Sequence, residues 1–312
     1  MATNEVDKRE AFVKAQIDTE ISILQANNWL YKSRLSDWSS KLGSPIQIAP
    51  DKDINFPELI FTNDELDSGN YGVYRNERIY QLIKRYEADL IWEIGAGNGD
   101  VSIFLQRHGI PLIAVEPFNS GAVRIARSRI LTFVSSLSDL QLPGGVCKNI
   151  GVFDVIEHIE DDKEFLRLLH FSVKDGGLLF VSVPAHQWLF SKFDTDLGHF
   201  RRYSKSSLRR ILKDVGFEVL EIKYFMKLFV LPALFIRKLM KIGVKKHKLE
   251  IDDELTEKFG LVNSRFLIKI AKGFDYFLPN TFGLSLLVVA QKITFPPSEI
   301  KETKYETMVL RQ

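Results

Sequence analysis

Three glycines at every second position follow an acid at the end of an apolar run, in the segment LIWEIGAGNGD, residues 90–100. The glycines are Gly95, Gly97 and Gly99. Without a Cβ, each would let the backbone approach a ligand closely. A loop that binds a nucleoside triphosphate needs a lysine and a hydroxyl after its last glycine, but Asp100 and Val101 stand there. The spacing therefore argues against P-loop chemistry.

A dinucleotide site is also disfavoured, because Asp100 occupies the place of the third glycine in the pattern G-x-G-x-x-G. Glu93, just before the loop, would repel a phosphate but suits a ligand with an ammonium or sulfonium group. S-adenosylmethionine carries both groups. Glu116 ends the next apolar run, where a carboxylate can accept hydrogen bonds from ribose hydroxyls.

Apolar runs that alternate with helical patterns would position these residues. The predicted strands are 90–94, 111–115, 130–134, 151–156 and 178–183, with a further strand at 283–292. This rhythm predicts a doubly wound α/β fold with a mostly parallel sheet.

The chain divides into four predicted regions. Residues 1–45 form an N-terminal helical extension, residues 70–223 with 283–292 the ligand-binding domain, residues 224–282 a helical insertion, and residues 293–312 a loose tail. Within the extension, a helix is predicted over about 7–41, with one apolar face. That face consists of Val13, Ile17, Ile21 and Leu24. It would pack on the domain or on a second subunit, which leaves a homodimer open.

Composition excludes several classes of protein. The 312 residues carry a net charge of +2, which does not favour a nucleic-acid partner. A single cysteine, Cys147, excludes an intramolecular disulfide framework and fits a reducing compartment. The N-terminal residues are too charged for a signal peptide, and no apolar run is long enough to span a bilayer, so a cytoplasmic protein is expected.

Three segments, WEIGAGNGD, AVEP and GVFDVIEHIEDDKEFLRLLHFSVKDGGLLFVSVPA, resemble motifs of the class I S-adenosylmethionine-dependent methyltransferases. The resemblance covers about residues 71–223 and the strand near 283–292. It implies a seven-stranded Rossmann-like sheet and S-adenosylmethionine as the cofactor. The segment TFVSSLSDLQLP departs from the family pattern because no acid directly follows its strand.

The resemblance also implies roles for individual residues. Glu93, Gly95, Gly97 and Gly99 would line the methionine half of the donor, Glu116 and Pro117 the ribose, Ser136, Leu137 and Ser138 the adenine, and Asp154 would lie near the donor. His158, just after the fourth predicted strand, is a candidate general base. Its alternative role is to cap or pack the following helix. Methyl transfer by itself requires no metal.

The segment VPAHQWLFSKFDTDLGHFRRY, residues 183–203, resembles a subgroup of these methyltransferases and is expected to cover the acceptor. Its candidate catalytic residues are His199, Arg202 and Tyr203. The alternative is that the arginine pairs with Asp194 or Asp196 and only fixes the loop.

Residues 224–248 contain eight basic residues, counting His247, and no acid. A basic amphipathic helix there would either cover the active site as a lid or lie against the inner face of a membrane. The resemblance implies a methyltransferase with a small-molecule acceptor, including lipid- or sugar-linked ones. The alternatives are a non-catalytic module that binds S-adenosylmethionine or its product, and a nicotinamide oxidoreductase that the glycine spacing disfavours.

Overall fold

The computed structural model describes residues 2–27, 29–35, 38–48, 69–231, 233–234 and 265–293. Its strands are β1 (Ile46–Gln47), β2 (Ile91–Ile94), β3 (Leu112–Glu116), β4 (Leu131–Val134), β5 (Cys147–Phe153), β6 (Val173–Pro184), β7 (Phe217–Phe225) and β8 (Ser285–Lys292). Its helices are α1 (Ala2–Ala26), α2 (Gly69–Arg85), α3 (Asp100–Arg107), α4 (Asn119–Arg127), α5 (Leu137–Leu140), α6 (Asp162–Ser172), α7 (Lys192–Asp196), α8 (Lys205–Asp214) and α9 (Arg265–Phe277).

These strands form one sheet with the spatial order β1-β4-β3-β2-β5-β6-β8-β7. The first six in this order are parallel, and β8 lies antiparallel between β6 and β7. The prediction of a doubly wound, mostly parallel α/β fold is confirmed. The strand order reverses between β2 and β5, which is where such folds bind their ligands.

The sheet has eight strands in place of the predicted seven because β1 adds an edge. Ile46 pairs with Phe133, and Gln47 pairs with Val134. A strand of two residues is too short to leave an alternating pattern in the sequence. The strand predicted at 151–156 instead runs from Cys147 to Phe153, so the residues after Phe153 belong to the loop at the carboxyl edge.

Alternation along the central strands divides the core between the two faces of the sheet. Trp92 and Ile94 pack with α1, α6 and α8 on one face, whereas Ile91 packs with α2, α3 and α9 on the other. Glu93 shares the face of Ile91, since successive side chains in a strand point to opposite sides. Both faces are covered, as expected for a parallel sheet.

The N-terminal helix α1 packs on the sheet of its own chain. Ile17, Ile21 and Leu24 are buried, and the indole of Trp29 donates to the carbonyl of Leu140 at 2.9 Å. The helix ends at Ala26, well before the predicted residue 41, and two short 3-10 turns follow it. An asparagine follows Ala26, and its side chain bonds to the carbonyl of Ile23, a local bond that competes with helix propagation.

The insertion before β8 begins later than predicted, because β7 continues through Tyr224 to Phe225. Helix α9 lies within the range predicted for this insertion. The basic stretch 235–248 and the tail beyond residue 293 lie outside the described residues. None of the helices that the structure describes combines the length and apolarity needed to cross a membrane.

Candidate functional site

The glycine loop lies between β2 and α3, at the carboxyl edge of the sheet. Gly95, Gly97 and Gly99 have φ angles of +75°, +57° and +78°, where a side chain is strained. A Cβ at Gly95 would stand 2.9 Å from Val155, and one at Gly99 would overlap Ile125. A Cβ at Gly97 would meet nothing within 4 Å. Gly97 is thus the glycine with open space beside it, whereas the other two permit tight packing.

Glu116 ends β3 beside that open space. Its carboxylate accepts hydrogen bonds from the backbone N–H of Gly97 at 2.6 Å and of Phe118 at 2.9 Å. Burial raises the pKa of Glu116 to about 7, and the two hydrogen bonds oppose that rise. Pro117 lies between the strand end and α4. An open glycine beside a carboxylate fits a nucleoside ligand such as S-adenosylmethionine.

Helix α4 supports the glycine loop through contacts that were not predicted from the sequence. A Cβ at Gly121 would overlap the carbonyl oxygen of Gly97. Arg124 donates to the carbonyl of Asn98 at 2.9 Å and pairs with Asp100 at 3.3 Å. A glycine in the first turns of a helix was the available signal, because it marks a close approach of two backbones.

Glu93 is buried between β2 and α3. Its carboxyl group accepts a hydrogen bond from the hydroxyl of Ser102 at 2.5 Å. Burial raises the pKa of Glu93 to about 8, an effect that the Ser102 bond and the charge of Arg75 oppose. These contacts fasten α3 to the sheet, and direct contact of Glu93 with the donor stays a prediction.

The residues predicted to contact adenine begin α5. Ser136 caps this helix by accepting from the backbone N–H of Asp139 at 3.2 Å, and its hydroxyl bonds to the Asp139 carboxylate at 2.6 Å. Ser138 lies 2.9 Å from Ser136, oxygen to oxygen, and Leu137 is buried. Asp139 is thus the first acid after the strand, and it folds back over one turn to Ser136. Contact of Ser136, Leu137 and Ser138 with adenine stays a prediction.

Asp154 follows β5 in a left-handed conformation, with φ of +57°. One carboxylate oxygen accepts from the hydroxyl of Ser182 at 3.0 Å, and the other pairs with Arg75 of α2 at 2.5 Å. Arg75 was not predicted as a site residue, because no local pattern connects α2 with the end of β5. A strained residue held by two neighbours is typical of a functional site.

Glu157, His158 and His199 come together just beyond Asp154. One potential ligand atom from each residue lies within 4.8 Å of those of the other two. The two imidazole rings meet edge to face, with centroids 4.5 Å apart. Burial, with a smaller effect of the neighbouring His199, lowers the pKa of His158 to about 4. Burial and the charge of Asp154 raise the pKa of Glu157 well above its usual value.

His199 is fixed by the loop that follows β6. Its Nδ1 lies 3.3 Å from a carboxylate oxygen of Asp194, which also accepts from Nε of Arg202 at 2.6 Å. Although burial opposes it, bonds from His199 and Arg202 hold the pKa of Asp194 below its usual range. The backbone N–H of Phe200 donates to the carbonyl of Glu157 at 2.8 Å. These bonds join the loop to the turn that carries Glu157 and His158.

Arg202 and Tyr203 are buried at the base of this loop. Besides Asp194, Arg202 donates to the carbonyl of Ala185 at 3.3 Å. The hydroxyl of Tyr203 donates to Asp162 at 2.6 Å. These contacts favour the alternative in which an Arg202–Asp194 pair fixes the loop. Direct contact of Arg202 or Tyr203 with an acceptor stays a prediction.

The fold therefore brings the glycine loop and the cluster to one edge of the sheet. Val155, between Asp154 and Glu157, packs against Gly95 of the loop. This arrangement defines an α/β protein with a nucleoside-type site and an adjacent group of polar side chains at its switch point.

Comparison with known proteins identifies the domain. A family described as "Methyltransferase domain" matches residues 74–222. The match covers just under half of the chain and is similar to the class I S-adenosylmethionine-dependent methyltransferases, which supports S-adenosylmethionine as the cofactor of this domain.

Two curated relatives carry matching descriptions. A probable S-adenosylmethionine-dependent methyltransferase of Mycobacterium tuberculosis is 31% identical over 162 residues, which cover 50% of this chain and 59% of that protein. One from Mycolicibacterium smegmatis is 30% identical over 156 residues, or 48% of this chain and 60% of the relative. The alignments thus span less than two thirds of either relative. A solved S-adenosylmethionine-dependent methyltransferase of Archaeoglobus fulgidus is 19% identical, with a TM-score of 0.46 over 70% of this chain and 96% of that one.

Proposed function

We propose that this protein transfers the methyl group of S-adenosylmethionine to a small-molecule acceptor bound beside Glu157, His158 and His199. The observation that supports this proposal is the packing of Val155 on Gly95, which puts that cluster next to the glycine loop. When bound, the donor supplies an activated methyl carbon. The protein then has to hold the acceptor in line with that carbon and exclude water.

The residues of the chain divide this work. Gly97 leaves room for the donor, and Glu116 holds a carboxylate beside it. Asp154, anchored by Arg75, follows β5 three residues before Glu157 and would lie near the donor. Because Asp154 is restrained on both carboxylate oxygens, it can keep one orientation while ligands enter and leave.

Exposed aromatic side chains on the loop after β6 favour binding of an acceptor there. Trp188, Phe193 and Phe200 are each about half exposed, at 58%, 48% and 50%. Large apolar groups at the mouth of a cleft are typical of ligand-binding surfaces. Together with the basic stretch in residues 224–248, they favour an acceptor with an apolar or lipid-linked part.

The decisive experiment identifies the product. The purified protein is incubated with a methyl-labelled donor and a fractionated extract of its source cells, and the labelled product is analysed by mass spectrometry. Transfer of label to a small molecule is expected. Binding of the donor without transfer to any fraction would favour the non-catalytic module.

A second measurement tests a lipid-linked acceptor. Sedimentation with vesicles that contain anionic lipid is compared at low and high salt, because salt screens attraction to a charged surface. Binding that weakens with salt, and that is lost on changing Arg237, Lys238 and Lys241 to glutamate, would support membrane contact. An absence of binding at low salt would leave a soluble acceptor.

A further inference from the structure

The cluster of Glu157, His158 and His199 contains the donor atoms that a transition metal prefers. Its two imidazoles and one carboxylate come within 4.8 Å of one another, atom to atom. Among the residues that the structure describes, this is the group of three histidine, cysteine or acidic side chains with that property. None of the three is among the residues predicted to bind the donor, such as Gly97 and Glu116.

The Glu157 carboxyl group is an independent sign of a missing positive charge. Its residue is 1% exposed. Neither of its oxygens accepts a hydrogen bond from any residue in the described part of the chain. Buried polar side chains almost always have partners, and a carboxylate without one requires an explanation such as an ion. A potential ligand atom of each of the two histidines lies within 4.8 Å of this carboxyl group.

The surroundings orient His199 as a ligand. Because Nδ1 of His199 faces the Asp194 carboxylate at 3.3 Å, Nε2 is the nitrogen left for a metal. A carboxylate that holds the outer nitrogen of an imidazole is the usual support of a metal-bound histidine. Asp194 is itself held by Arg202 and by the backbone N–H of Ser191 at 2.8 Å.

We propose that Glu157, His158 and His199 bind one divalent transition-metal ion. Two nitrogen ligands and one oxygen ligand suit zinc, iron, cobalt or manganese better than magnesium or calcium, which take oxygen ligands. Three protein ligands leave at least one coordination position open, as in catalytic metal sites. That position fits an oxygen atom of the acceptor, an assignment that rests on the proposed function. The proposal departs from the sequence-based expectation that no metal takes part.

The test measures metal uptake directly. The full chain is stripped with a chelator, dialysed, and titrated with Zn²⁺, Mn²⁺ or Co²⁺ alone. Mass spectrometry of the metal gives the stoichiometry, and visible absorption of Co²⁺ reports imidazole ligation. One ion per chain is expected. Glu157→Gln and His199→Asn should each weaken uptake by more than about tenfold.

The matched control is His108→Asn, which alters an exposed histidine at the end of α3 and should bind as the wild type does. Circular dichroism of the metal-free variants verifies folding, and His199→Asn serves if Glu157→Gln does not fold. Loss of all metal on dialysis, or equal affinity of the wild type and both variants, overturns the proposal.

Titration of the stripped protein with S-adenosylhomocysteine separates this inference from the proposed function. Binding of that ligand without metal uptake would reject the metal site and leave the methyltransferase proposal standing. Metal uptake without ligand binding would support the metal site and contradict the methyltransferase proposal.

Discussion

Gly95, Gly97 and Gly99 look equivalent in sequence, yet they have different structural roles. All three have positive φ, but only Gly97 has open space where a side chain would stand. Gly95 and Gly99 instead allow Val155 and Ile125 to pack against the loop. Donor affinity should therefore depend on Gly97 through its backbone conformation and through the space beside it.

Gly97→Ala should lower the free energy of unfolding by about 1–2 kcal/mol, because a Cβ at left-handed φ is strained. It should also weaken binding of S-adenosylhomocysteine by filling the space that the donor needs. Gly273→Ala is the matched control, since its Cβ also meets nothing within 4 Å, but it lies within α9 at ordinary φ. Alanine there should raise stability by about 0.5–1 kcal/mol. Calorimetry and urea unfolding measure both effects, and identical behaviour of the two variants would contradict the prediction.

Glu116→Ala should weaken binding of the same ligand by about 1.5–3 kcal/mol, the usual contribution of a hydrogen bond to a charged group. The variant loses the carboxylate beside Gly97 and frees the backbone N–H that it now holds. Glu218→Ala makes the same chemical change on an exposed residue of β7 and should leave affinity unchanged. Equal dissociation constants for the wild type and Glu116→Ala would remove the ribose assignment.

At the scale of elements, α1 is docked on the sheet partly through a buried acid. Glu20 faces Trp92 of β2, whose indole nitrogen lies 3.5 Å from its carboxyl oxygen. Burial raises the pKa of Glu20 from 4.5 to about 7, and the Trp92 bond opposes that rise. The folded protein therefore holds this proton more tightly than the unfolded chain.

The contribution of Glu20 to stability should be complete below pH 4.5 and be lost as the pH rises through about 7. The total loss is up to about 3 kcal/mol. Glu20→Gln keeps an acceptor for Trp92 but cannot ionise, so its stability relative to wild type should increase from about pH 5 to about pH 8. Urea unfolding at the two pH values measures this difference. Because Glu93 is present in both proteins, its own pH-dependent effect on stability cancels in this difference. A stability difference that does not change with pH would contradict the raised pKa of Glu20.

The loop between β6 and α8 is the second element whose contacts matter. Asp194 lies at its centre, between His199 and Arg202. If Asp194 orients His199 toward a metal, Asp194→Asn should weaken metal affinity by about 10- to 100-fold, because such supporting carboxylates have effects of this size. Asp196→Asn alters an exposed acid on the same short helix, α7, and should have no effect.

Donor affinity in metal-free protein provides the control for folding of this loop. It should be the same for the wild type, Asp194→Asn and Asp196→Asn, because Asp194 bonds to Ser191, His199 and Arg202 of its own loop. A parallel loss of donor binding and metal binding in Asp194→Asn would show that the loop only supports the fold.

At the scale of the whole molecule, a ligand at the carboxyl edge should stabilise the entire sheet. S-adenosylhomocysteine at about a hundred times its dissociation constant should add about 2.7 kcal/mol. For a domain of this size, that corresponds to a rise in Tm of roughly 5–10 °C. NAD and ATP should give no such shift at equal concentration. A shift in Tm with NAD as large as that with S-adenosylhomocysteine would support the oxidoreductase alternative.

The sequence by itself determined the fold class, the glycine loop and the place of Glu116 at a strand end, but no range was predicted for β1 or β7. Alternating apolar residues and glycine punctuation are local patterns, and they located β2, β3, β4 and β8 to within two residues, whereas β6 begins five residues before its predicted start. The spacing of apolar residues likewise predicted the face of α1 that buries Ile17, Ile21 and Leu24. Such features depend on backbone sterics and on periodicity, which neighbouring residues encode.

Only the tertiary structure decided which distant residues meet. The pairing of β1 with β4, the Arg75–Asp154 ion pair, and the approach of His199 to Glu157 and His158 each join separate segments. From their types, Arg202 and Tyr203 were predicted to be catalytic, with a pair between the arginine and Asp194 or Asp196 as the alternative. Only the folded loop selected Asp194 and brought Tyr203 to Asp162. The physical reason is that contacts between distant segments follow from how strands order and helices pack, which no local pattern records.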